Sequence, residues 1–221
     1  MIYAILIIAV FIGIFLAHFL KKSARISELL LMFSGSYLLC VTLLHNFPLL
    51  YQKGEDQVWL FIILGIIIQM ILESFSKGVE HGHIHHNEKL SLSIVFGLMA
   101  HAFLEGMPLK ETHIHDNLLL AIAIHKIPVA TILYINLSSI FKHQYKVYIA
   151  MSIFALLTPL GSFSSNYTPL INYPYYILAL VSGVFIHIST TILFENSDKS
   201  HQISWQKLIM LLLSTILVLA I

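Results

Sequence analysis

SLSIVFGLMAHAFLEGMP, residues 91–108, decides how this chain is to be read. It is an apolar run broken by one histidine and one glutamate, His101 and Glu105. Apolar residues continue without the alternation that a barrel strand needs. In lipid the backbone then has to satisfy itself within a helix. Positions i and i+4 lie only about 40° apart around a helix, so His101 and Glu105 share a face. Ser93 and Gly97 continue that row with small side chains, which let a neighbouring helix come close. Ionisable groups are costly where water is scarce, so their presence in such a run marks a functional-site candidate.

The rest of the chain has the same character. Its 221 residues are 58% hydrophobic and 10% charged, with a mean hydropathy of +0.86. Soluble domains carry about a quarter charged residues. A membrane crossing takes about 20 apolar residues, and eight stretches fit: 2–20, 29–50, 58–76, 90–108, 117–140, 147–163, 174–194 and 204–221. The predicted fold is an all-α integral membrane protein, an eight-helix bundle forming one transmembrane domain over residues 1–221. It has no room for a separate soluble unit. A net charge of +1 excludes the basic surface that nucleic acid requires. Cys40 alone builds no disulfide framework.

Charge distribution sets the orientation. The first apolar run is followed by Lys21, Lys22 and Arg25 rather than preceded by charge, and it lacks a small-residue cleavage site. It is read as a retained helix with its amino end outside. Lys21, Lys22, Arg25, Lys77, Lys89, Lys142, Lys146, Lys199 and Lys207 then fall on the inner side, and only Lys53 and Lys110 on the outer side. The positive-inside rule therefore puts both termini outside. Lys126, the remaining basic residue, falls within the fifth span.

Histidine is the unusual component: thirteen, against twelve lysines and arginines, which points to metal or protons. In the fifth span IAIHKIPVAT, residues 122–131, places His125 and Lys126 just before Pro128. A proline frees the carbonyl one turn back and can open the helix beside a ligand. Imidazole and carboxylate suit Zn²⁺ and tolerate Fe²⁺, Mn²⁺ or Cd²⁺. His101, Glu105 and His125 would make a three-ligand site with an open position. The competing reading is a polar pair that only locks two helices together; a second histidine-bearing span beside the first favours the metal. HGHIHH, residues 81–86, supplies His81, His83, His85 and His86 within a histidine-rich cytoplasmic loop at about 77–89. Such tracts bind metal for capture or release. His113, His115 and Asp116 either collect cations outside or belong to a solvated loop. His45 and His187 read as helix-contact histidines, and Glu73 and Glu195 as acids at span ends.

Taken together these motifs resemble the ZIP (Zrt/Irt-like) family of divalent metal transporters over the whole chain. HAFLEG (101–106) is similar to that family's fourth-helix motif and HKIPVA (125–130) to its fifth. SGSYLLCVTLLHNFP (34–48) resembles the second helix and LLTPLGSF (156–163) the sixth. The resemblance implies zinc uptake toward the cytoplasm through a site of His101, Glu105 and His125, with Tyr37 as a candidate neighbour. Where two-metal members carry polar or acidic residues, this chain has Ala102, Lys126, Val129 and Thr158. Lys126 is then expected to replace a second metal with its own charge, with Glu105 as its nearest counter-charge. The expected partners are a divalent ion as transported substrate, the lipid bilayer of a plasma or inner membrane, and a second copy in a homodimer. No permanently bound cofactor and no enzymatic activity are implied. The alternative is an intramembrane zinc-dependent hydrolase using Glu105 as general base, against which the absence of HExxH counts. A receptor or purely structural bundle would leave Lys126 and the loop histidines without a role.

Overall fold

The computed structural model describes residues 2–20, 24–53, 56–76, 92–109, 116–194 and 205–220. Its helices are α1 (Ile2–Leu20), α2 (Ala24–Val41), α3 (Phe47–Gln52), α4 (Val58–Ser76), α5 (Leu92–Gly106), α6 (Asp116–Ile140), α7 (Gln144–Tyr167), α8 (Pro174–Phe194) and α9 (Trp205–Ala220). A π turn over Thr42–Asn46 joins α2 to α3 without a break. The described chain therefore forms eight helical rods and no strand, an all-α membrane bundle.

Six of the rods are long and apolar enough to cross a membrane. The described parts of α5 and α9, 15 and 16 residues, are apolar but shorter, and the positions leading into each lie outside the described residues. The histidine-rich stretch with His81, His83, His85 and His86 is also outside them, as are His113, His115 and Glu195. Helix ends run past the predicted apolar limits. The second rod spans Ala24–Gln52 rather than 29–50, and α7 spans Gln144–Tyr167 rather than 147–163. Arg25, Glu28, Gln144 and Lys146 are compatible with helix, so the hydrogen-bond ladder continues beyond the hydrophobic segment.

The π turn was not legible as such. Pro48 has no N–H to donate, and the ladder just before it is reset: Phe47 donates its N–H to the carbonyl of Thr42 rather than to that of Leu43. A π insertion of this kind absorbs one extra residue without ending the helix.

The rods pack first in pairs, α4 on α8, α1 on α6, α5 on α7 and α2 on α9, and the pairs are joined where α2 lies on α6 and α8 and α4 lies on α5. Apolar side chains from all of them, among them Leu6, Tyr37, Ile62, Leu98, Ile122, Met151, Phe185 and Val218, form one connected core. On α4 the core face holds Ile62, Gly65, Gln69 and Leu72, while Trp59, Ile63, Ile67, Met70 and Ile71 are exposed. That is the distribution a bilayer-facing helix requires.

At two crossings glycines of both helices interlock. At α4–α8, a Cβ on Gly65 would run into the Leu180 carbonyl, and one on Gly183 into the Ile62 carbonyl. At α5–α7 the arrangement repeats, with Gly106 against Thr158 and Gly161 against Phe103. Among lipid tails apolar burial does not drive helices together, so close van der Waals approach at small residues becomes a main source of cohesion. Overpacking costs about 1–3 kcal/mol, so Gly183→Ala should lower thermal stability in detergent by that amount. Ile63→Ala, on the exposed face of α4, should change it by less than about 0.5 kcal/mol.

Candidate functional site

The site lies where α5, α6 and α7 meet. His101 and Glu105 project from one face of α5, His125 and Lys126 from α6, and Thr158 from α7; all five side chains are buried, none more than 2% exposed. The i, i+4 spacing on α5 sets Nε2 of His101 3.7 Å from Oε2 of Glu105. The rings of His101 and His125 stand perpendicular with centroids 6.1 Å apart, so the two histidines read from sequence are neighbours.

The two carboxylate oxygens of Glu105 have different neighbours. Oε2 faces the His101 imidazole, while Oε1 accepts from the Lys126 ammonium. Lys126 Nζ also donates to Thr158 Oγ1 at 2.5 Å, and it lies 4.4 Å from the centre of the Phe154 ring. An ammonium carries three hydrogens and no acceptor. A carboxylate, a hydroxyl and an aromatic face match it in number, the last through cation–π attraction. Thr158 Oγ1 is 2.8 Å from Glu105 Oε1 and 2.8 Å from the Ala102 carbonyl. Its single hydrogen serves one of these oxygens at a time. The glycine contact of Gly106 with the Thr158 backbone is what brings this hydroxyl so close to α5.

The remaining candidates are placed as follows. Tyr37 is fully buried on α2, 6.2 Å ring to ring from Phe33. Its hydroxyl has no hydrogen-bond partner among the described residues, so it bonds none of the three candidate ligands. His187 on α8 meets Glu73 on α4 at 2.5 Å, joining a histidine and an acid that the sequence offered only separately. His45, in the π turn, is 2.9 Å from the Asn117 amide at the start of α6, and Asn46 donates to Ser182 at 3.3 Å. Among the described residues no three His, Cys, Asp or Glu side chains are grouped closely enough to hold a metal ion as they stand. The physical reasons are the commitment of Glu105 Oε1 to Lys126 and the width of the gap between the imidazoles. Phe154 was not foreseen. It sits four residues before Thr158, on the same face of α7, and that spacing was the available signal.

No family model matches this chain, and no curated protein matches it.

The ion pair makes a thermodynamic prediction. Removing one partner of a buried pair costs about 3–5 kcal/mol, because the other charge is left uncompensated. Metal-free Lys126→Met should lose stability on that scale, and adding Glu105→Gln should recover most of it. A double-mutant cycle on unfolding in detergent checks this; additive losses would show that the two charges are not coupled.

Proposed function

We propose that this chain is a multi-pass permease that carries a divalent metal ion, Zn²⁺ by preference, toward the cytoplasm. His101, Glu105 and His125 bind the ion in transit. One observation carries the reading: two imidazoles and a carboxylate from successive spans are buried in one part of the interior, with His101 Nε2 and Glu105 Oε2 3.7 Å apart and the imidazole centroids 6.1 Å apart. Zinc binds nitrogen and oxygen at about 2.0–2.2 Å, so two atoms sharing one ion stand at most about 4 Å apart. The His101–Glu105 separation is within that reach. For His125 to join them, its side chain has to move closer than its present 6.1 Å ring separation from His101. The resemblance to ZIP transporters supports the same assignment.

Lys126 tunes this site. Its ammonium holds one oxygen of Glu105, so an arriving ion shares the carboxylate with a fixed positive charge and is held less tightly. A transport site must also release its cargo, and a loosened site does so faster. The hydrolase alternative needs Glu105 as a general base, and no observation favours it.

Two outcomes test the proposal. In proteoliposomes, the purified protein should take up zinc, and replacing any one of His101, Glu105 or His125 by Ala should reduce initial uptake per folded protein at least tenfold, with Glu105→Ala alone also losing stability because it leaves Lys126 unpaired. Full uptake by Glu105→Ala would sink the assignment. Lys126→Met, refolded with zinc present, should bind zinc more tightly by competition titration and turn over more slowly, since the carboxylate is no longer shared. Unchanged affinity would remove Lys126 from the site's chemistry.

A further inference from the structure

The turn from α6 to α7 carries chemistry that the metal site does not use. Phe141 closes α6 on the Leu137 carbonyl, and Lys146 N donates to the His143 carbonyl as α7 begins. Lys142, His143, Gln144, Tyr145 and Lys146 are all exposed. Neither lysine has a carboxylate partner among the described residues. At this end of the bundle the described acids are Glu28 on α2 and Glu73, and Glu73 is taken by His187.

Aromatic rings lie beside these cations. The His143 and Tyr145 rings are 5.8 Å apart, Tyr148 is 6.1 Å from Tyr134, and Tyr134 is 5.4 Å from His18 on α1. Deeper along the same helices large apolar side chains are exposed, Phe15 on α1 and Ile149 and Ile153 on α7, with Ser152 exposed beside them. One stretch of surface therefore passes from hydrocarbon to phenol and imidazole rings and then to two ammonium groups. This is the order in which a phospholipid presents acyl chain, glycerol region and phosphate, and aromatic side chains favour that middle level.

We propose that the α6–α7 turn is a seat for the headgroup of an anionic phospholipid, with Lys142 and Lys146 on the phosphate and Tyr145 and Tyr148 at the ester level. Charge complementarity selects the lipid. Among the described residues neither lysine has an acid to neutralise it, and the apolar band beside them offers a place for acyl chains. The turn joins the helix bearing Lys126 to the helix bearing Thr158, so an occupied seat clamps the two segments that hold the buried ammonium. The inference does not depend on the metal reading.

The test is native mass spectrometry of the full-length protein in neutral detergent, titrated with phosphatidylglycerol or with phosphatidylcholine of the same chain length. The wild type should retain phosphatidylglycerol in preference. A lysine near an anionic headgroup is worth roughly fivefold in binding. The Lys142→Gln/Lys146→Gln double variant should therefore lose about twentyfold or more of its affinity for phosphatidylglycerol, with unchanged melting in the absence of lipid. Lys142→Arg/Lys146→Arg should keep the preference. Equal retention of both lipids by the wild type would overturn the proposal, as would a preference that survives the glutamine substitutions. So would full competition by millimolar inorganic phosphate, which would mean that the acyl chain plays no part.

Discussion

An ammonium group buried among apolar helices sets the terms for the rest of this structure. Lys126 has essentially no exposure, and a charge in such a position is tolerated only when its surroundings answer it. Here the answer comes from two other helices: the Glu105 carboxylate on α5, and the Thr158 hydroxyl and Phe154 ring on α7. None of these contacts forms unless the three helices stand in one register. The pair is weak evidence for stability, since desolvating two charges offsets much of their attraction. It is strong evidence for specificity, because a shift of one turn in any of the three helices would leave a charge stranded.

The close α5–α7 crossing is the mechanical counterpart of that pair. Gly106 and Gly161 let the two backbones touch, each glycine lying against a carbonyl of the other helix. A side chain at either position would push α7 outward and take Thr158 away from the Ala102 carbonyl and the Glu105 carboxylate. Small residues and charged residues in this bundle are thus parts of one arrangement. The same logic recurs at α4–α8, where Gly65 and Gly183 interlock and the Glu73–His187 pair joins the same two helices. Further polar contacts link the second rod to its neighbours, from His45 to Asn117 and from Asn46 to Ser182.

For the cation proposed at this site the important feature would be the division of labour on Glu105. One oxygen is held by a fixed positive charge and the other faces an imidazole. A carboxylate with both oxygens free would bind a divalent ion tightly. One shared with an ammonium in direct contact is partly neutralised and sits in a field that repels a second cation. At an effective dielectric of about 20, two unit charges 4 Å apart interact by about 4 kcal/mol, enough to change occupancy by orders of magnitude. On the proposed reading, a nearby lysine would thus act on metal affinity without being a ligand.

The sequence by itself determined the class of structure and the membership of the polar cluster. Uninterrupted apolar runs of about 20 residues permit only helices in a bilayer, so the helix count followed from hydropathy and the placement of charges. His101 and Glu105 had to share a face because helical periodicity is a local property, and Lys126 had to find a counter-charge because the middle of a span offers no water. What only the tertiary structure decided was contact between segments distant in sequence. Examples are the pairing of Glu73 with His187, the ring of Phe154 under the ammonium, the hydroxyl of Thr158 as a shared partner, and the absence of any hydrogen bond from Tyr37 to the candidate ligands. These depend on rotation and crossing angle about helix axes. Both are set by glycine contacts and packing summed over the whole bundle, and no local stretch of sequence encodes them.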